Sequence, residues 1–273
     1  MFGCNLEFLI KVVLSFFVGG LTIGAVILIA ENMGARIGAV IAGMPTTTLV
    51  STIFIQVTSG SEVLKESVLI TPLISSFALI FGLVFVFLVN RLGSFAAIIV
   101  ALFCWFLPSF LIKSYLSEVN FLVVLSSASI FLFCLDLFMK RFKEIPPSKK
   151  GMSKSMARKS FLTKAIVSGF IVALAVTLAK LVNPLWGGMF SAFPASVSAT
   201  VFFLAKAQGS DFVKGLLRGY SKAFISILTF QTCLYYLATN INPFLVFGIA
   251  VSACLIYPIG MLYINSRKAK VVK

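Results

Sequence analysis

The sequence predicts an all-α, polytopic membrane protein: about nine transmembrane helices, in two inverted four-helix repeats plus one linking helix. Three observations carry this expectation. Of the 273 residues, 60% are hydrophobic and 11% charged, with a mean hydropathy of +1.08, whereas a soluble fold of this length needs far more polar surface. Apolar runs near the ~20 residues needed to cross a bilayer recur along the whole chain. Two stretches of the chain also align with each other without a gap. Backbone groups cannot stay unpaired in lipid, and no alternating barrel pattern is visible, so the spans are helices.

The nine expected spans are 8–30, 35–57, 68–89, 94–112, 119–139, 161–182, 185–205, 221–239 and 243–264. The first is too long for a signal-peptide core and lacks a basic start and a small-residue cleavage site, so it counts as a span. The second, "AVIAGMPTTTLVSTIFI", is apolar at both ends. Its middle holds Pro45, then Thr46, Thr47, Thr48, Ser51 and Thr52. A proline inside a helix removes a donor and clashes with the preceding turn, at a cost of about 3 kcal/mol or more. The third and fourth spans are uninterrupted, and the fifth is "VNFLVVLSSASIFLFCLDLFMK". A linker, "KRFKEIPPSKKGMSKSMARKS", follows with eight Lys/Arg and one Glu. Four more spans and the basic tail "RKAKVVK" complete the chain.

The two aligned stretches are "VILIAENMGARIGAVIAGMPTTTLVSTIFIQVTSGSEVLKE" and "AVTLAKLVNPLWGGMFSAFPASVSATVFFLAKAQGSDFVKG". Pro45 meets Pro194, Gly38 meets Gly187, Phe54 meets Phe203, and Gly60-Ser61-Glu62 meets Gly209-Ser210-Asp211. Upstream, "FLIKVVLSFF" parallels "FLTKAIVSGF" after a short gap and pairs Lys11 with Lys164. The expected division is a first four-helix repeat at 1–115, a linking helix with the basic linker at 116–160, and a second repeat with the basic tail at 161–273.

Basic loops beside spans mark the cytoplasmic side. The second repeat lies between two basic segments, so both its ends face the cytoplasm. If the fifth segment spans, the first repeat begins outside and the repeats are antiparallel, as in many carriers. Only Lys11, Lys65, Lys113 and Lys180 of the 23 Lys/Arg then lie outside. A parallel, eight-span arrangement also satisfies the rule, and the length of the fifth segment favours inversion. The expected location is a plasma or inner membrane, with the N-terminus outside and the linker and C-terminus cytoplasmic.

The order "FLTKAIVSGFIVALAVTLAK", a loop, "FP" with a hydroxyl-bearing helix, then "GSDFVKG" resembles the small GlpM-like bacterial membrane proteins. The marks are Lys164, Phe193-Pro194 and the region of Gly209, with Met44 standing in the first copy where the second has Phe193. Those relatives are single four-span units, so the resemblance implies a fused duplicate. It brings no established chemistry.

The polar residues argue against an enzyme. There is no histidine, and the eight carboxylates fall mostly at predicted helix ends or in loops. No metal-ligand cluster, carboxylate pair or phosphate loop is present, and no cofactor is expected. The net charge of +15 resides in membrane-flanking loops without a nucleic-acid module, so it fits topology and anionic lipid. The five cysteines lie in or beside apolar runs and read as small fillers. Asp136, one turn before Lys140, reads as an interfacial ion pair, and Lys11 and Lys164 read as snorkelling lysines. Glu31 and Lys180 read as water-facing. Gln231, Tyr235 and Tyr236 read as cavity-lining or packed.

A transport site asks for less. Inverted-repeat carriers bind substrate near the midplane between copies, at a corresponding pair of interrupted helices. Pro45 and Pro194 form such a pair, and each frees the carbonyl four residues back, at Ile41 and Phe190. Each opens a half-helix with hydroxyls: Thr46, Thr47, Thr48 and Ser51 in one copy, Ser196, Ser198 and Thr200 in the other. These residues are the expected site for a small solute or lipid-linked substrate, with sodium as a possible coupling ion. The other reading is an accessory or assembly protein of envelope export, whose prolines only shape packing. The sequence leaves the number of copies in the assembly open.

Overall fold

The computed structural model of the protein describes residues 6–32, 44–115, 119–142 and 154–271, without the side chains of 26–32, 154–157, 160, 196, 199, 222 and 261–271. Every regular element among them is helical: α1 (Leu6–Asn32), α2 (Thr46–Ser59), α3 (Ser61–Val68), α4 (Thr71–Tyr115), α5 (Phe121–Met139), α6 (Lys154–Leu181), α7 (Pro184–Ser191), α8 (Ala195–Gln208), α9 (Ser210–Leu237) and α10 (Pro243–Val271). Five segments are long and apolar enough to cross a membrane: Leu6–Ala25, Thr71–Tyr115, Phe121–Met139, Phe161–Leu181 and Pro243–Gly260. Large apolar side chains such as Phe17 on α1, Phe133 on α5 and Phe244 on α10 are exposed, which suits lipid as the surrounding solvent. The chain has the make-up of a helical membrane protein.

Two expected spans, 68–89 and 94–112, fall in α4, which is broken at Gly93 with φ 76 and ψ 165. Glycine enters that left-handed region without a Cβ penalty, and the chain doubles back there. Ala78 and Phe193 line one cavity, and the Trp105 ring meets the Phe193 ring at 5.1 Å. A straight helix would hold Ala78 and Trp105 about 40 Å apart. Just before the turn, Asn90 Nδ2 donates to Ser210 Oγ at 2.9 Å.

The expected span 185–205 is divided between α7 and α8. At 14 residues, α8 is about 21 Å long, short of the roughly 30 Å hydrocarbon core. The α2 helix has the same length. The part of the expected span 35–57 before Met44 lies outside the described residues, with Gly34, Gly38, Gly43 and Ile41. Most of the basic linker and the last residues of the tail also lie outside them.

α1 and α6 run antiparallel along much of their length. Lys180 sits over the Phe8 ring at 4.6 Å, while the position of Gly24 faces Phe161. Small residues permit this approach. A Cβ on Gly20 would stand 2.5 Å from the Ala165 carbonyl oxygen, and one on Gly169 would collide with the Phe16 carbonyl. The first helices of the two aligned segments therefore lie back to back and point in opposite directions.

The lysines separate by end. Lys11 pairs with Glu7 at 2.6 Å and reaches the Val57 carbonyl at 3.5 Å. Lys180 donates to the Thr58 carbonyl at 3.3 Å. Both serve the last turn of α2, where carbonyls lack helical partners and the dipole is negative. Lys180 is thus exposed and also tied to the protein. Nearby, Lys65 lies 5.6 Å from the Tyr235 ring centre and Lys113 lies 4.5 Å from that of Trp186. At the far end of α5, Asp136 pairs with Lys140 at 3.7 Å and accepts from Ser221 at 2.7 Å. Arg218 there donates to the Phe142 carbonyl at 2.9 Å. Lys164 departs from expectation: it is 1% exposed, so it does not snorkel.

Candidate functional site

Pro45 and Pro194 are the N-caps of α2 and α8, with φ −75, ψ 50 and φ −77, ψ 46. The local bonding is the same at both. Thr46 N–H donates to Met44 O at 2.7 Å and Leu49 N–H to Pro45 O at 2.7 Å. Ala195 N–H donates to Phe193 O at 2.8 Å and Ser198 N–H to Pro194 O at 2.8 Å. Each helix ends on a left-handed glycine, Gly60 or Gly209, both at φ 87. Neither proline supplies a side-chain cap, so each helix start keeps amide donors without a helical partner.

The two starts share one cavity of about 50 Å³. Pro45, Thr46, Thr47 and Thr48 line one side, and Ala192, Phe193, Pro194 and Val197 line the other. Ser75 of α4 and Tyr220, Phe224 and Ile227 of α9 complete the wall. Among the described lining residues none carries a formal charge at neutral pH. A bond also joins the two breaks directly, from Thr48 Oγ1 to the Ser191 carbonyl at 3.1 Å.

The expected site residues divide into three groups. Thr46, Thr47 and Thr48 line the cavity with both prolines. Ser51, Ser198 and Thr200 are buried but lie beyond its wall, and Ser198 Oγ donates back to the Ala195 carbonyl at 2.9 Å. Ser196 sits in the first turn of α8, with its side chain outside the described residues. The freed-carbonyl expectation is corrected at Phe190. Its oxygen accepts from Phe193 N–H at 3.1 Å, because the chain closes a tight turn before Pro194 instead of continuing as a helix.

Several buried hydroxyls carry no hydrogen bond: Thr47 Oγ1, Ser51 Oγ, Ser67 Oγ and Ser168 Oγ. An unpartnered buried hydroxyl costs about 1–3 kcal/mol, so the one on Thr47, which lines the cavity with both prolines, calls for a cause. Gln231, fully buried, donates to Ser75 Oγ at 2.7 Å and stands behind the wall. Tyr235 stacks on Phe121 at 4.0 Å and serves packing. No local pattern marks Ser75, Tyr220 or Phe224, because only the tertiary fold brings α4 and α9 to the breaks.

Among the described residues no group of three or more His, Cys, Asp or Glu stands ready to hold a metal ion. No curated protein and no solved structure matches the chain. Residues 12–117 match the model of a family described as protein of unknown function (DUF3147).

Proposed function

We propose that this protein is a membrane carrier of nine spans, in which two inverted four-helix units shape one substrate site between two proline-broken helices. The observation that carries the reading is the shared cavity: Pro45 and Pro194, far apart in sequence, both line it. Interrupted helices at corresponding places in two units are the usual frame of such sites. Duplication is supported by the matching backbone at the two prolines and the two left-handed glycines. Inversion is supported by the antiparallel α1–α6 pair. The family match over 12–117 covers nearly all of the first unit, 1–115, and a GlpM-like origin of the repeated unit fits it. Lys11, Lys65, Lys113 and Lys180 share one end, and the larger number of Lys/Arg in the linker and tail supports an outward N-terminus and a cytoplasmic linker and tail.

The test uses purified protein in liposomes loaded with a bacterial small-molecule extract, with released solutes identified by mass spectrometry. A carrier releases one or a few solutes faster than empty liposomes do. Thr47→Val and Ser196→Ala then slow that release several-fold while folded yield stays nearly intact, since one hydrogen bond contributes about 0.5–1.5 kcal/mol net. Liposomes that release nothing selectively would favour the accessory reading. Equal losses of yield and release in the variants would make the hydroxyls packing elements.

A further inference from the structure

We propose that the cavity between the two breaks binds a small anion, held by first-turn amides of α2 and α8 and by the Thr47 hydroxyl. The inference deepens the carrier reading and rests on it for a role in transport. It starts from a census of donors and acceptors. Five carbonyls at the breaks are already engaged: those of Met44, Pro45, Phe190, Phe193 and Pro194 each accept a backbone N–H. The Ser191 carbonyl accepts from Thr48, and Ser75 Oγ accepts from Gln231. A cation such as sodium would have to share those oxygens with the donors already on them.

Donors remain. In each helix the first and fourth amides bond back to the break, while those of Thr47, Thr48 and Val197 make no backbone bond to a described residue. Ser75, accepting from Gln231, keeps its own proton to give. Thr47 supplies the observation independent of the helix ends: it lines the cavity, is 6% exposed, and its Oγ1 has no partner.

The electrostatics have the same sign. A helix N-terminus carries roughly half a positive charge, felt within its first turn. Two such ends meet at one cavity, and among its described lining residues no charged side chain offsets them. In a weakly polar surround the pair suits one negative charge. A cavity of about 50 Å³ has room for a halide or a compact carboxylate, since a water needs only about 10–15 Å³ on this measure.

The test measures melting of the full-length chain in nanodiscs during titration with sodium chloride and sodium formate. Sodium gluconate, too large for the cavity, holds ionic strength constant, and choline chloride replaces the sodium salt in a second series. Chloride or formate should stabilise saturably and equally with either cation. Thr47→Val should weaken the apparent affinity roughly tenfold, the scale of a hydrogen bond to a charged group. Thr47→Ser, which keeps the hydroxyl, should bind as the native chain does, including where the valine variant folds poorly. Stabilisation that follows sodium, no saturable effect of either anion, or unchanged binding in a folded Thr47→Val protein would each overturn the proposal. Anion binding without solute release would uphold this site and sink the carrier reading. Release of a neutral or cationic solute without anion binding would do the reverse.

Discussion

Pro45→Ala and Pro194→Ala should each abolish solute release from liposomes in a protein that still folds, and the double variant should be no worse. Each proline now holds ψ near 50° or 46°, outside helical geometry, and has no N–H to donate. Alanine restores the donor and is favoured over proline by about 3 kcal/mol in a helix interior. The preceding chain and the half-helix then tend to join, and the first-turn amides turn from the cavity to helical carbonyls. If both breaks build one site, losing either removes the site, and the second loss adds nothing. Release rates and melting temperatures of the four proteins form a double-mutant cycle that isolates this coupling. Single variants that release solute normally, with a double variant losing the sum of two stability penalties, would rule out the shared site.

Gly188→Ala should cost most of the folded protein. A methyl there would run into the Ser67 carbonyl, a backbone atom at the end of α3, and backbone cannot yield as a flexible side chain can. Overpacking of this kind costs about 1–3 kcal/mol and sometimes more. Gly187 is equally confined, against Ala179 of α6, so α7 is wedged between α3 and α6. The control is Gly219→Ala on α9, where a Cβ meets nothing within 4 Å. It should be neutral or stabilising by up to about 1 kcal/mol through helix propensity. Detergent melting curves and monodisperse yield read both. A Gly188→Ala protein that melts with the native one would contradict the α3–α7 approach.

The membrane class was legible because hydropathy reports the solvent directly, and the prolines were legible because a breaker inside an apolar run has few meanings. The sequence placed a turn between its third and fourth spans, and Gly93 supplies it. The Phe190 carbonyl was misjudged because the four-back rule assumes a helix continuing into the proline. The chain instead makes a three-residue turn, and the oxygen finds Phe193 N–H. Lys164 was misjudged because hydropathy sees only its distance from the end of a span. It is buried on a helix that α1 approaches closely, where Gly20 and Gly24 stand one turn apart. That small-xxx-small spacing was available as a sign of close packing. The Ser75 and Tyr220 parts of the cavity wall were not legible, since no local pattern links α4 and α9 to either break.

The central claim is that two broken helices enclose a site which opens to each side of the membrane. Labelling with a membrane-impermeant thiol reagent tests it, on a chain whose native cysteines are replaced and which carries Thr47→Cys. A second protein retaining only Cys4 reports orientation and should react from outside; reaction only from the cytoplasmic face would leave the parallel arrangement. In proteoliposomes of fixed orientation, the Thr47→Cys thiol should react with reagent added on either face. A thiol at that position that stays unreactive from both faces, in a protein that folds normally, would contradict the account and leave a closed packing seam.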